Sequence, residues 1–198
     1  MMENREDLEL NDRLQLIESM IAEGRRTTEK WAWTFVLWGV AYYIAIAWSI
    51  WGNATLAWPV TMIASGVVTG VVAGRIKSNK AKTTAGRAIG SVWMAMGITM
   101  FALLMSLSLS GRYDLHVFVA IIGAMLGMAN GISSMILRWK MQFACAGVWT
   151  ATAVAACFTT DNQVSVIFLG AIFFCQIVFG IYGMIAESRR HGRSAAHA

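Results

Sequence analysis

The chain has 198 residues, of which 57% are hydrophobic and only 14% charged, with a formal net charge of +5. Soluble domains carry about 25% charged residues, and a soluble protein this poor in charge would expose broad apolar patches to water. No basic patch is interleaved with aromatics, so nucleic acid is excluded as a partner; the charges gather at the two ends and in short breaks between long apolar runs, which predicts a membrane protein.

Residues 1–30 open on acids (Glu3, Glu6, Asp7, Glu9, Asp12), unlike the basic start of a cleavable signal peptide. Leu10, Leu14, Ile17, Ile21 and Gly24 recur at spacings of four and three. That is the apolar seam of a short amphipathic helix, with Asn11 or Asp12 expected as its N-cap. Up to Glu23 the segment carries seven acids against two arginines, a face that anionic lipid repels. A protein surface suits the seam better. It is either a partner or homo-oligomer contact through residues 10–24, or a helix folded back on the protein's own cytoplasmic side.

Six spans are expected after it, at 31–51, 55–74, 88–110, 115–137, 143–160 and 163–186, each able to cross a hydrocarbon core of about 30 Å. Trp31 and Trp33 at one end of the first span, and Trp48 and Trp51 at the other, match the two interfacial aromatic belts. Asn53-Ala54-Thr55 has the form of a glycosylation sequon but abuts the membrane. Pro59, the only proline, is expected in the first turn of the second span, where no backbone hydrogen bond is lost. Residues 187–198 form a basic tail with Arg189, Arg190 and Arg193.

Topology follows from the cations. The N-terminal segment holds five Lys and Arg, the stretch Arg75–Arg87 five, Arg138 and Lys140 two, and the tail three, whereas the opposite side has only Arg112. The positive-inside rule then puts both termini in the cytoplasm.

Ser65 to Gly74 reads as a helix with small residues every fourth position, Gly66, Gly70 and Gly74, and Val between them. Gly123, Gly127 and Gly131 repeat the stripe 57 residues later, and Gly180 lies 57 beyond Gly123. Such stripes let helix backbones approach closely. The spacing fits one helical hairpin used three times; spans of similar length also produce such coincidences.

No Asp, Glu, Lys, Arg or His falls in the middle of a span, which argues against ion-coupled transport and proton relays. Gly131-Ile132-Ser133-Ser134 partly resembles the Gly-x-Ser nucleophile site of rhomboid serine proteases, but His116, His191 and His197 lie at span ends or in the tail, so Ser133 has no expected base. No catalytic residue, cofactor or metal is expected, and the chain reads as a non-enzyme. Cys145, Cys157 and Cys175 lie inside apolar runs and read as fillers, as do the methionines crowding spans three and four. The remaining polar groups are Asn130, Gln176, Thr69 and Tyr43. They either bond between helices or line a cavity for a small neutral or amphipathic solute or lipid.

At Leu16-Ile17-Glu18-Ser19-Met20-Ile21-Ala22, Leu37-Trp38-Gly39 and Gly86-Arg87-Ala88-Ile89-Gly90-Ser91-Val92-Trp93 the chain resembles a widespread group of uncharacterised bacterial inner-membrane proteins. Members often have a second aromatic where this chain has Val40. The resemblance implies the six-span bundle, the short N-terminal helix and a bacterial inner-membrane location, and transfers no site. Two functions compete: a scaffold, regulatory or partner-binding protein acting through its N-terminal helix and glycine faces, and a carrier with an intramembrane cavity.

Overall fold

The computed structural model describes residues 2–75, 84–111 and 114–195. Lys77, Lys80, Lys82 and Arg112 of the charge count, and His197, lie outside the described residues. Helices follow one another as α1 (Met2–Lys30), α2 (Ala32–Trp51), α3 (Ala54–Arg75), α4 (Thr84–Ser110), α5 (Leu115–Leu137), α6 (Lys140–Ala156), α7 (Asp161–Ile172) and α8 (Phe179–Ala195). A π-helical stretch, Phe173–Val178, joins α7 to α8 without a break. No strand occurs among the described residues. Among the described residues, five helical segments are long and apolar enough to cross a membrane: Ala32–Trp51, Thr55–Arg75, Thr84–Leu107, Leu115–Leu137 and Asp161–Arg189.

Local chemistry sets the helix ends. Asn53 is used as a cap, its Oδ1 accepting the Thr55 N–H at 3.0 Å, which starts α3. Asp114 Oδ1 accepts the Val117 N–H at 2.9 Å and starts α5, placing an anion at the positive end of that helix. Thr160 donates its backbone N–H to Gln163 Oε1 at 3.0 Å at the start of α7. Arg138 ends α5 in the left-handed region, φ 49° and ψ 43°. Its side chain is exposed, so Arg138→Gly loses no packing while removing the strain of a Cβ there. That variant is expected to gain about 1 kcal/mol, read as a higher melting temperature in detergent.

Several boundaries differ from the sequence reading. α1 starts at Met2, not at Asn11 or Asp12. Acids are favourable in a first helical turn, so the run before the seam continues the helix instead of preceding it. Pro59 lies inside α3, past its first turn. α6 covers Lys140–Ala156, earlier than 143–160, and Asp161–Ala195 is one continuous helical stretch, so the first part of the tail belongs to α8.

α5 and α6 pack most extensively. α2 lies against α3 on one side and against α8 and the π stretch on the other; α4 leans on α5, and α3 barely touches α4. Between them Tyr42, Trp58, Phe118, Trp149 and Phe168 form the buried aromatic centre, Trp58 meeting Phe118 edge-on at 4.5 Å. Such contacts fix ring orientation as well as burying area.

The glycine stripes do different things. A Cβ on Gly123 would sit 2.9 Å from the Trp149 carbonyl oxygen and 3.0 Å from the Ala153 backbone nitrogen. On Gly127 it would sit 2.6 Å from Thr150 Oγ1, and on Gly131 3.8 Å from Ala146 Cβ. Gly180 backs onto Val36 and Ala32 of α2 in the same manner. A Cβ on Gly66, Gly70 or Gly74 would meet nothing within 4 Å. The expected packing of α3 through these three glycines is therefore not found within the chain among the described residues; α3 packs on α2 through the opposite face, where Ala57, Trp58, Thr61, Met62 and Ser65 are buried.

Candidate interaction site on the N-terminal helix

α1 divides into two halves with different surroundings. From Met20 onward it lies on the bundle, against α4, α5 and α8. Gly24 is buried, and a Cβ there would meet Leu137 Cδ2 at 2.7 Å and Ala85 Cβ at 3.7 Å. One residue on, Arg25 turns its guanidinium to the end of α5: Nε donates to the Leu137 carbonyl at 2.7 Å, and Nη2 donates to the Arg138 carbonyl. The last carbonyls of a helix have no partner within it and carry the negative end of its dipole. A cation there is both a cap and a counter-charge. Thr28 and Glu29 are buried on the same side.

Residues 10–19 are exposed throughout. Leu10, Leu14, Leu16 and Ile17 are 58%, 51%, 61% and 52% exposed, while Ile21 is half-buried at the edge of the docked half. The seam drawn from the sequence is thus split. Its last two positions, Ile21 and Gly24, meet the bundle and the first three do not. The exposed part carries Asp12 and Glu18 beside the apolar residues.

The four uncharged polar candidates do not converge. Thr69 donates to the Ser65 carbonyl of its own helix at 2.7 Å. Tyr43 donates its hydroxyl to the Leu169 carbonyl of α7 at 2.9 Å, which ties α2 to α7. Gln176 is buried in the π stretch, opposite Gly39, where an added Cβ would lie 2.8 Å from Gln176 Cβ. Asn130 is buried on α5 and donates Nδ2 to the Leu126 carbonyl at 2.8 Å.

Two features of this region carry no signal in the pattern. Arg25 sits just past the seam and looks like any charge at a helix end. Gln142 falls in the polar break Arg138–Gln142, yet its side chain is fully buried on α6. Among the described residues neither of its polar atoms has a hydrogen-bond partner, nor do Asn130 Oδ1 and Trp149 Nε1. All four atoms belong to the facing helices α5 and α6. Ser133 accepts a hydrogen bond from Trp93 Nε1 at 3.0 Å and Ser134 donates to the Gly131 carbonyl at 2.7 Å, so both serines are bonded within the bundle; His116 is at the far end of α5. Cys145 and Cys175 are buried and adjacent, Cys175 Sγ lying 3.8 Å from the Cys145 carbonyl oxygen. No cluster of three or more His, Cys, Asp or Glu suited to a metal occurs among the described residues.

No family model, curated protein or solved structure matches the chain. Any functional reading therefore rests on the residues themselves.

Proposed function

We propose that the chain is a non-enzymatic scaffold or partner-binding protein of a bacterial inner membrane, with six spans and both termini cytoplasmic. The observation that carries this reading is the division of α1. One half is anchored by Arg25, and the other presents Leu10, Leu14 and Ile17 to solvent among acids. An anchored helix holds its exposed seam in a fixed place, which lowers the ordering cost of a complex. Its acidic flanks favour a partner with a basic surface. For the sixth span, the 17 residues of α6 rise about 25 Å, at the short end of what crosses a membrane. The excess of Lys and Arg on alternate loops supports the orientation.

A second reading is a carrier or binding protein for a small neutral or amphipathic solute. What favours it is the set of partnerless polar atoms on Asn130, Gln142 and Trp149. Against it, Thr69 and Tyr43 are bonded elsewhere.

Native mass spectrometry of protein extracted gently from its membrane separates the two. A bound protein or a dimer that disappears in the double variant Leu14→Glu, Ile17→Glu supports the interaction reading. These positions are exposed, so the docked half of α1 and the bundle are left intact. Association that survives the double variant refutes it. A monomer carrying one stoichiometric small molecule, lost in Gln142→Leu, favours the carrier.

A further inference from the structure

At the rim opposite α1, three chain segments meet on one imidazole. His116, the second residue of α5, places Nδ1 2.7 Å from the carbonyl oxygen of Ala156, the last residue of α6. Its Nε2 lies 2.7 Å from Oδ1 of Asp161, the first residue of α7. A carbonyl only accepts, and so does an ionised carboxylate. The Asp161 side chain is 83% exposed. A neutral imidazole has one N–H and one bare nitrogen and can satisfy only one of these oxygens. The doubly protonated ring satisfies both. Asp161 on α7 and Asp114 at the cap of α5 are the charged groups facing the ring among the described residues. The nearby Cys157 thiol is turned to the Ala153 carbonyl at 3.6 Å.

We propose that His116 is a proton-operated latch. Doubly protonated, it ties the start of α5 to the turn between α6 and α7, and loss of one proton releases one of the two ties. The neutral ring would set a bare nitrogen against an oxygen lone pair at hydrogen-bond distance. Either the ring turns or the turn at 157–160 moves away from α5. Thr160, the last residue of that turn, is bonded through its N–H and its hydroxyl to Gln163 Oε1 of α7, so the end of the turn stays with α7. The protonated form is the one the fold binds, so the latch adds stability at acidic pH and loses it as pH rises through its titration. An imidazole titrates nearer physiological pH than any other ordinary side chain, so the rim responds to conditions on that side of the membrane.

The test uses the full chain in nanodiscs with His191→Gln and His197→Gln, which leaves His116 as the sole histidine of the three. Ring nitrogen NMR at about pH 6 is expected to show two protonated nitrogens. Melting is expected to be higher in this parent than after His116→Asn at about pH 6, with the gap closing at about pH 9. Asp161→Asn supplies a second variant on an exposed side chain. Its amide can donate to a bare Nε2, so the neutral ring becomes fully bonded and the ring is expected to lose its proton at a lower pH than in the parent. A single protonated nitrogen at about pH 6, an equal melting gap at both pH values, or an unchanged titration in Asp161→Asn overturns the latch.

Discussion

Gly123→Leu is expected to be among the most damaging single substitutions in this chain. The first atom added already lies 2.9 Å from the Trp149 carbonyl oxygen and 3.0 Å from the Ala153 nitrogen. Those are backbone atoms of α6, and they cannot turn aside as a side chain can. The helices must separate, which also strips packing from Trp149, a fully buried ring. Overpacking costs roughly 1–3 kcal/mol where neighbours give way, and a forced helix shift takes the cost to about 3 kcal/mol or more. Thermal unfolding in detergent measures it. The control is Gly70→Leu, which carries the same change in the same sequence pattern. A Cβ there meets nothing within 4 Å among the described residues, so its melting temperature is expected to match the parent. Equal losses in the two variants would mean that α3 is packed through its glycines after all.

Arg25→Met is expected to release α1 while leaving the bundle folded. Methionine keeps an aliphatic stem of similar length but cannot donate to the Leu137 and Arg138 carbonyls. Hydrogen bonds to a charged group contribute about 1.5–3 kcal/mol. Loss of about 2–3 kcal/mol raises the population of undocked α1 by roughly 30- to 150-fold. Amide hydrogen exchange over residues 20–28 should quicken by that factor, with little change in the centres of α5 and α6. Unchanged exchange would show that Gly24 packing and the buried Thr28 and Glu29 hold α1 by themselves. The same variant bears on the proposed function, because a seam on a swinging helix binds more weakly than one held in place.

The apolar runs were legible because a hydrocarbon interior demands about 20 uncharged residues per helix, and that demand is written residue by residue. The seam of α1 and both glycine stripes were legible for a related reason: helical periodicity assigns residues to a face. What periodicity does not assign is the neighbour of that face. Gly66, Gly70 and Gly74 carry the same pattern as Gly123, Gly127 and Gly131, yet one stripe is open and the other lies on α6. The seam of α1 marks its start only from Leu10, whereas the helix begins at Met2, where acids in the first turns are favourable. Gln142 sits among charges in the sequence, yet on α6 it is fully buried, and no local pattern marks that burial.

By itself, then, the sequence determined that the chain is helical, that several of its helices can cross a membrane, and which residues share a face. Those properties follow from local periodicity and composition. Only the tertiary structure decided that α1 is half docked, that Arg25 caps α5, that His116 joins three segments, and which glycine stripe bears on another helix. Each of these depends on residues that are distant in the chain, such as Arg25 and Leu137 or His116 and Asp161. The bonds between them form only once the whole bundle has closed.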